Sequence, residues 1–265
     1  MLAGEALGLV KERFPQAVGA LLGGSAAQGR ATANSDLDVA VILPDGAAGR
    51  LEMVRRNGRL AELFVHTLAD VPAAFERDRA QRRGTVLFLY AQGLPLLDPG
   101  GHVSHACERA REVLAAGPPA LTRAEWERGR YLLTSFLDDL GDLGDLGGPD
   151  DLGGLGGPDD LGSLGGVADA PSTARYEQLA LADAVLREAA HLHTAHLGVW
   201  NGIGRWLPRR LLDADPVRGE ALLAGQRAVA EHADPVPLVE AAGQVLDLCG
   251  GPLREGYAHP WGPPA

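Results

Sequence analysis

Cysteine is nearly absent, with Cys107 and Cys249 alone in 265 residues. Two thiols cannot build a disulfide framework, so a reducing compartment is the expectation and both are read as small buried hydrophobes. Lysine is scarcer still, Lys11 being the only one among many arginines, which reflects coding bias in a GC-rich genome rather than function. No apolar run is long enough to cross a bilayer, and Met1-Leu2-Ala3-Gly4-Glu5 lacks the basic start of a secretory leader. A soluble cytoplasmic protein is expected. Positive charge is also short: the formal net charge is -11, which argues against a chain that wraps a long nucleic-acid backbone. A small-molecule partner fits better than nucleic acid or protein, with a local macromolecular one as the alternative.

What is abundant is glycine, 36 residues in all, and its placement is informative. Ala20-Leu21-Leu22 is a short apolar run that stops at Gly23-Gly24, as a strand does on turning sharply into a helix. Residues without Cβ let the backbone take unusual torsions and approach a ligand closely. Ser25 to Gln28 can then form a first helical turn whose free N–H groups suit an anion, with phosphate the obvious guest.

Beyond the loop Gly29 to Asn34, residues Asp36-Leu37-Asp38-Val39-Ala40-Val41-Ile42-Leu43 read as a strand. Residues two apart share a face, so Asp36 and Asp38 project together. Adjacent carboxylates repel unless a cation lies between them, and hard oxygen ligands suit Mg²⁺, which completes its shell with water and phosphate oxygens. Gly24 and Gly29 have the gap of a Walker A loop, but Arg30-Ala31 stands where Lys and a hydroxyl residue belong, which excludes a P-loop ATPase. Arg30 is either a phosphate contact or a solvated loop arginine.

Gly24-Ser25, then Asp36-x-Asp38 with Ser35 directly before the pair, resembles the signature of the DNA polymerase β-like nucleotidyltransferase superfamily. The resemblance implies a third carboxylate on a later strand. Leu60 to Thr67 alternates enough to be that strand, and Glu62 is its only acid. It further implies that Asp36, Asp38 and Glu62 bind two Mg²⁺ ions, and that Gly24, Ser25, Arg30 and Ser35 contact the triphosphate. The implied reaction moves a nucleoside monophosphate, AMP from ATP by family habit, to an acceptor hydroxyl with release of pyrophosphate. A second reading is an antitoxin-like or regulatory binding module on the same fold with little or no transfer.

The expected fold is α+β: a small mixed β-sheet nucleotidyltransferase domain over residues 1–103, followed by an α-helical bundle domain over 104–265. That layout resembles kanamycin nucleotidyltransferase-like enzymes. Leu7 to Phe14 predicts a helix, Leu94 to Asp98 an edge strand, and Val86 to Tyr90 either helix or strand. Helices are expected over 107–115, 123–140, 174–197, 217–233 and 237–248, the second opening on a Thr122 and Glu125 capping box.

Residues 141–166 contain Gly-Gly-Pro-Asp-Asp-Leu-Gly-Gly-Leu and then Gly-Gly-Pro-Asp-Asp-Leu-Gly-Ser-Leu. The nine-residue period suggests calcium β-rolls, but aspartate and leucine stand where those repeats need glycine and aspartate. A disordered surface insert is expected instead. In the helical half, His191, His193 and His196 lack a carboxylate at ligand spacing, and a partly buried, hydrogen-bonded pair of His193 and His196 fits better than a metal site. Trp200 to Arg210, with two tryptophans and three arginines, is either a rim that grips a base and phosphates or a packed inter-helix turn. Asp138 and Asp139 are read as solvated acids at a helix end, with a general-base role as the alternative.

Overall fold

Alternation along three short apolar runs sets the first sheet. The computed structural model describes residues 2–145 and 173–259, and these fall into two units, Met1–Pro119 and Ala120–Ala265. The first runs α1 (Leu2–Arg13), β1 (Gly19–Leu22), α2 (Gly24–Ala27), β2 (Leu37–Leu43), β3 (Arg50–Arg56), β4 (Arg59–Thr67), α3 (Asp70–Ala80), α4 (Thr85–Ala91), β5 (Leu94–Leu97) and α5 (His102–Ala116). The strand order is β3-β4-β2-β1-β5. β2 and β4 pair in parallel, whereas β1 with β2, β1 with β5 and β3 with β4 are antiparallel. Leu94–Leu97 is an edge strand as expected, where Pro95 costs no interior donor.

One face of the sheet presents Leu37, Val39, Val41 and Leu43 with Leu63 and Val65, all buried against Leu9, Val10 and Phe14 around α1. Those odd-numbered positions leave Asp38, Ala40, Glu62 and Phe64 on the other face. There Leu89 of α4 and Val103 of α5 sit where a Cβ on Gly23 or Gly19 would stand, and Phe75 meets Tyr90 edge to face at 5.2 Å.

Two details depart from the sequence reading, and one alternative it left open is decided. β3 is an additional strand, made by a two-residue hairpin in which Asn57 and Gly58 carry φ of 51° and 81°, the left-handed pair that a tight turn demands. Val86 to Tyr90 is helical, because the buried Asp78 carboxylate accepts from the N–H groups of Thr85 and Leu87 and seals the start of α4. α5 belongs to the first unit, so the units divide at 119/120 and not at 103/104.

The second unit contains α6 (Arg123–Asp145), α7 (Thr173–His196), α8 (Trp206–Ala214), α9 (Pro216–His232) and α10 (Val236–Leu248). Its core joins Leu133, Leu140, Val185, Leu186, Leu211, Leu222, Leu238 and Val245. The capping box forms: Thr122 N–H donates to Glu125 Oε2 at 2.8 Å, and Glu125 N–H to Thr122 Oγ1 at 3.2 Å. α6 continues through residues 141–145, so helix replaces the first part of the expected insert; the remainder, 146–166, lies outside the described residues. No described helix is long and apolar enough to cross a membrane.

Candidate functional site

The acidic positions are brought together by strand register. Asp38 near the start of β2 is the Cα partner of Glu62 on the parallel strand β4, and paired positions share a face. Asp36 lies just before β2 and is exposed. Burial is the first cause that raises the Glu62 carboxyl above its ordinary range, and the charges of Asp38 and then Asp36 add to it. Glu62 therefore feels both aspartates electrostatically.

On the far side of Asp38 stands the glycine turn. Gly23 N–H donates to the Asp38 carbonyl at 2.7 Å. Gly24 has φ +59°, and a Cβ built on it would lie 1.7 Å from Asp38 Oδ2. Only glycine meets both demands, a left-handed backbone and the closeness of the carboxylate. Ser25 sits in the single turn of α2, and its carbonyl accepts from Arg30 N–H at 2.9 Å, which closes the loop after the turn.

Two loop residues are already engaged by protein. Arg30 donates through its guanidinium to the Gln28 side chain, which in turn donates to Gln92 Oε1 at 2.7 Å. Ser35 Oγ accepts from Thr32 N–H at 2.9 Å, so this hydroxyl shapes the loop that delivers Asp36. The sequence reading passed over Arg59, whose Nη1 donates to the Ser35 carbonyl and, at 3.2 Å, to the Thr32 carbonyl. An arginine three residues before Glu62 was the available signal, but its acceptors are backbone atoms and leave no trace in residue types.

The described residues contain no group of three or more His, Cys, Asp and Glu closed around a metal position. Mg²⁺ does not require one, since it takes one or two carboxylates and fills its shell with water and phosphate oxygens. Asp38 and Glu62, adjacent and mutually repelling, fit such a cation, with Asp36 as the nearby third charge.

The helical unit offers no comparable cluster among its described residues. His193 is buried and its Nε2 lies 3.1 Å from Asp215 Oδ2, while Asp215 caps α9 through the N–H groups of Val217 and Arg218. Burial, first, lowers the His193 pKa against the opposing pull of Asp215. Trp200 is buried, and Trp206 begins α8 with the guanidinium groups of Arg209 and Arg210 at 4.9 and 5.6 Å from its ring centre. Asp138 pairs with Arg254 through two hydrogen bonds. Both cysteines are buried, and burial pushes the Cys249 thiol up to about 11.

Residues 4–84 match the family model of the nucleotidyltransferase domain, a span that includes the glycine turn and all three carboxylates. No curated protein matches the chain. Among solved structures it is similar to a nucleotidyltransferase-like protein from Exiguobacterium sibiricum 255-15, at 9% sequence identity and a TM-score of 0.43, covering 94% of this chain and 75% of that one.

Proposed function

From the premise that this chain contains a nucleotidyltransferase domain of the DNA polymerase β-like superfamily, we propose that it transfers a nucleoside monophosphate, AMP from ATP, to an acceptor hydroxyl on a small molecule. The observation that carries the reading is the row Gly24, Asp38, Glu62: a turn without side-chain bulk, then two carboxylates in register. The acceptor hydroxyl gives up its proton to water, its oxygen forms a bond to the α-phosphorus, the bond from that phosphorus to the bridging oxygen breaks, and pyrophosphate leaves with those electrons.

Gly24 and Ser25 would hold the outer phosphates, a reading supported by the Gly23-to-Asp38 hydrogen bond that ties the turn to β2. Asp36, Asp38 and Glu62 would hold divalent cations. When bound, these supply neutralisation of the triphosphate charge and a lowered pKa for the attacking hydroxyl. Arg59 holds the loop from Thr32 to Ser35 and so sets where Asp36 stands. Positioning and charge provide most of the rate, because little covalent chemistry falls to the protein.

The test is incubation with Mg²⁺ and ATP labelled at either the α- or the γ-phosphorus, against a panel of alcohols, tRNA and co-expressed proteins. The α-label on an acceptor and the γ-label in pyrophosphate are expected. A γ-label on the acceptor, or transfer that survives combined Asp36→Asn and Asp38→Asn, contradicts the reading.

A further inference from the structure

The row of paired positions does not stop at Glu62. Glu62 is also the antiparallel partner of Met53 on β3, and Phe64 is the partner of Leu51. Asp38, Glu62 and Met53 thus form one line across β2, β4 and β3, and Ala40, Phe64 and Leu51 form the next. Leu51 is 57% exposed and Met53 51%. Among the described strand residues only Leu94, on the opposite edge strand, is another large hydrophobic so exposed.

An edge strand ordinarily turns its charged side chains to water. Here Glu52 and Arg56 lie on the opposite face, where Glu52 pairs with Arg13 at 2.7 Å and Arg56 with Glu12 at 2.5 Å, while Arg55 shares the face of Leu51 and Met53 and donates to the Gly58 carbonyl at 3.0 Å. Those ion pairs tie β3 to α1 and leave Leu51 and Met53, rimmed by Arg55, on the face that carries the carboxylates. An exposed apolar pair rimmed by charge beside a candidate site is a surface suited to a ligand.

The order across the sheet says which ligand. Passing from β1 to β3, the face presents the Gly24 turn, Asp38, Glu62 and then Met53. In-line displacement puts the leaving pyrophosphate and the attacking oxygen on opposite sides of the α-phosphorus. With the outer phosphates at the Gly24 turn, the acceptor approaches over β4 and β3. We propose that Leu51, Met53 and Phe64 form the acceptor platform, and that the acceptor is an alcohol whose hydroxyl is carried on an apolar aryl or alkyl body. This rests on the nucleotidyl-transfer reading above.

The platform sets specificity through acceptor binding. Burying the acceptor's apolar body against two side chains otherwise in water contributes to its affinity, while Glu62 alongside meets the hydroxyl end. Threonine at both positions keeps strand propensity while removing most of the apolar surface, so the sheet is retained.

The experiment measures transfer from α-labelled ATP, with Mg²⁺, to N-acetyltyrosinamide and 2-phenylethanol on one side and methyl glucoside on the other. It compares the natural chain with a Leu51→Thr plus Met53→Thr variant and records acceptor-free cleavage of ATP to AMP and pyrophosphate in both. Expected are preference for an apolar-bodied alcohol and, in the variant, an acceptor KM raised about tenfold with the KM for ATP and the acceptor-free cleavage unchanged. Four results overturn the platform: a preference for the glucoside, no transfer to either apolar alcohol while ATP is still cleaved, an unchanged acceptor KM in the variant, or a variant effect on the KM for ATP, which would place the nucleobase there. Absence of ATP cleavage in the natural chain overturns the nucleotidyl-transfer reading itself and the platform with it.

Discussion

Asp38 and Glu62 face each other across the parallel pair β2 and β4, and Gly24 stands against the Asp38 carboxylate from the other side. Three residues far apart in sequence become one line because the strands pair in this register. A slip by one residue would move either acid to the buried face beneath α1.

Gly24→Ala tests the closeness of turn and carboxylate. The new Cβ would meet Asp38 Oδ2 at 1.7 Å with the backbone at φ +59°, so Asp38 has to move. The account expects a cost of roughly 1–3 kcal/mol in stability and a fall of about a hundredfold in ATP cleavage, measured by urea unfolding and pyrophosphate release. Full activity with Asp38 unmoved would refute the assignment.

Arg59→Ala should loosen the loop that delivers Asp36, because two backbone carbonyls lose their common donor. Amide exchange across residues 32–36 is expected to accelerate, and ATP cleavage to fall about tenfold, the scale of one lost charged hydrogen bond. Unchanged exchange would show that the loop is held by other contacts.

Glu188 on α7 gives a pH dependence that is separate from the proposed chemistry. Burial, only partly offset by Arg128, raises its pKa from 4.5 to about 7. Below 4.5 the group is protonated in both states and imposes no penalty. As pH rises from there through the folded value, the unfolded chain loses its proton first and stability falls. Glu188→Gln should therefore stabilise the protein on the order of 2 kcal/mol at about pH 8 and leave it nearly unchanged at about pH 4. Urea unfolding at both pH values decides; equal effects at the two would remove the assigned cause.

Thr122→Ala removes the hydroxyl that both accepts from Glu125 N–H and donates to the Glu125 carboxylate. The expected loss is about 1 kcal/mol, read as a lower urea midpoint without a change in ATP cleavage.

The site was legible where residue type and period act together. Gly23-Gly24 ends an apolar run, the acids alternate into a strand, and Glu62 is the lone acid of β4. β3 was legible too, since Asn57-Gly58 marks a tight hairpin, but its arginines hide the alternation of Leu51, Glu52, Met53 and Val54. Other features depend on contacts that no local pattern encodes. Val86 to Tyr90 is helical because Asp78, seven and nine residues before Thr85 and Leu87, receives their N–H groups. Arg59 works through carbonyls, and α8 follows a glycine-rich stretch that reads as a turn. The boundary between the units shifted because α5 packs beside β1, β5 and α4, and helical periodicity alone does not say which unit a helix joins.

The most direct test of the central claim is single-turnover release of pyrophosphate from ATP, in Mg²⁺, by the natural chain and by Asp38→Asn. Because the change is isosteric, folding is expected to be retained, as circular dichroism checks. The account predicts a loss of about a thousandfold or more, the scale of removing a principal electrostatic contact in a transition state. Release by Asp38→Asn within about tenfold of the natural chain, a difference of only about 1.4 kcal/mol, would contradict it.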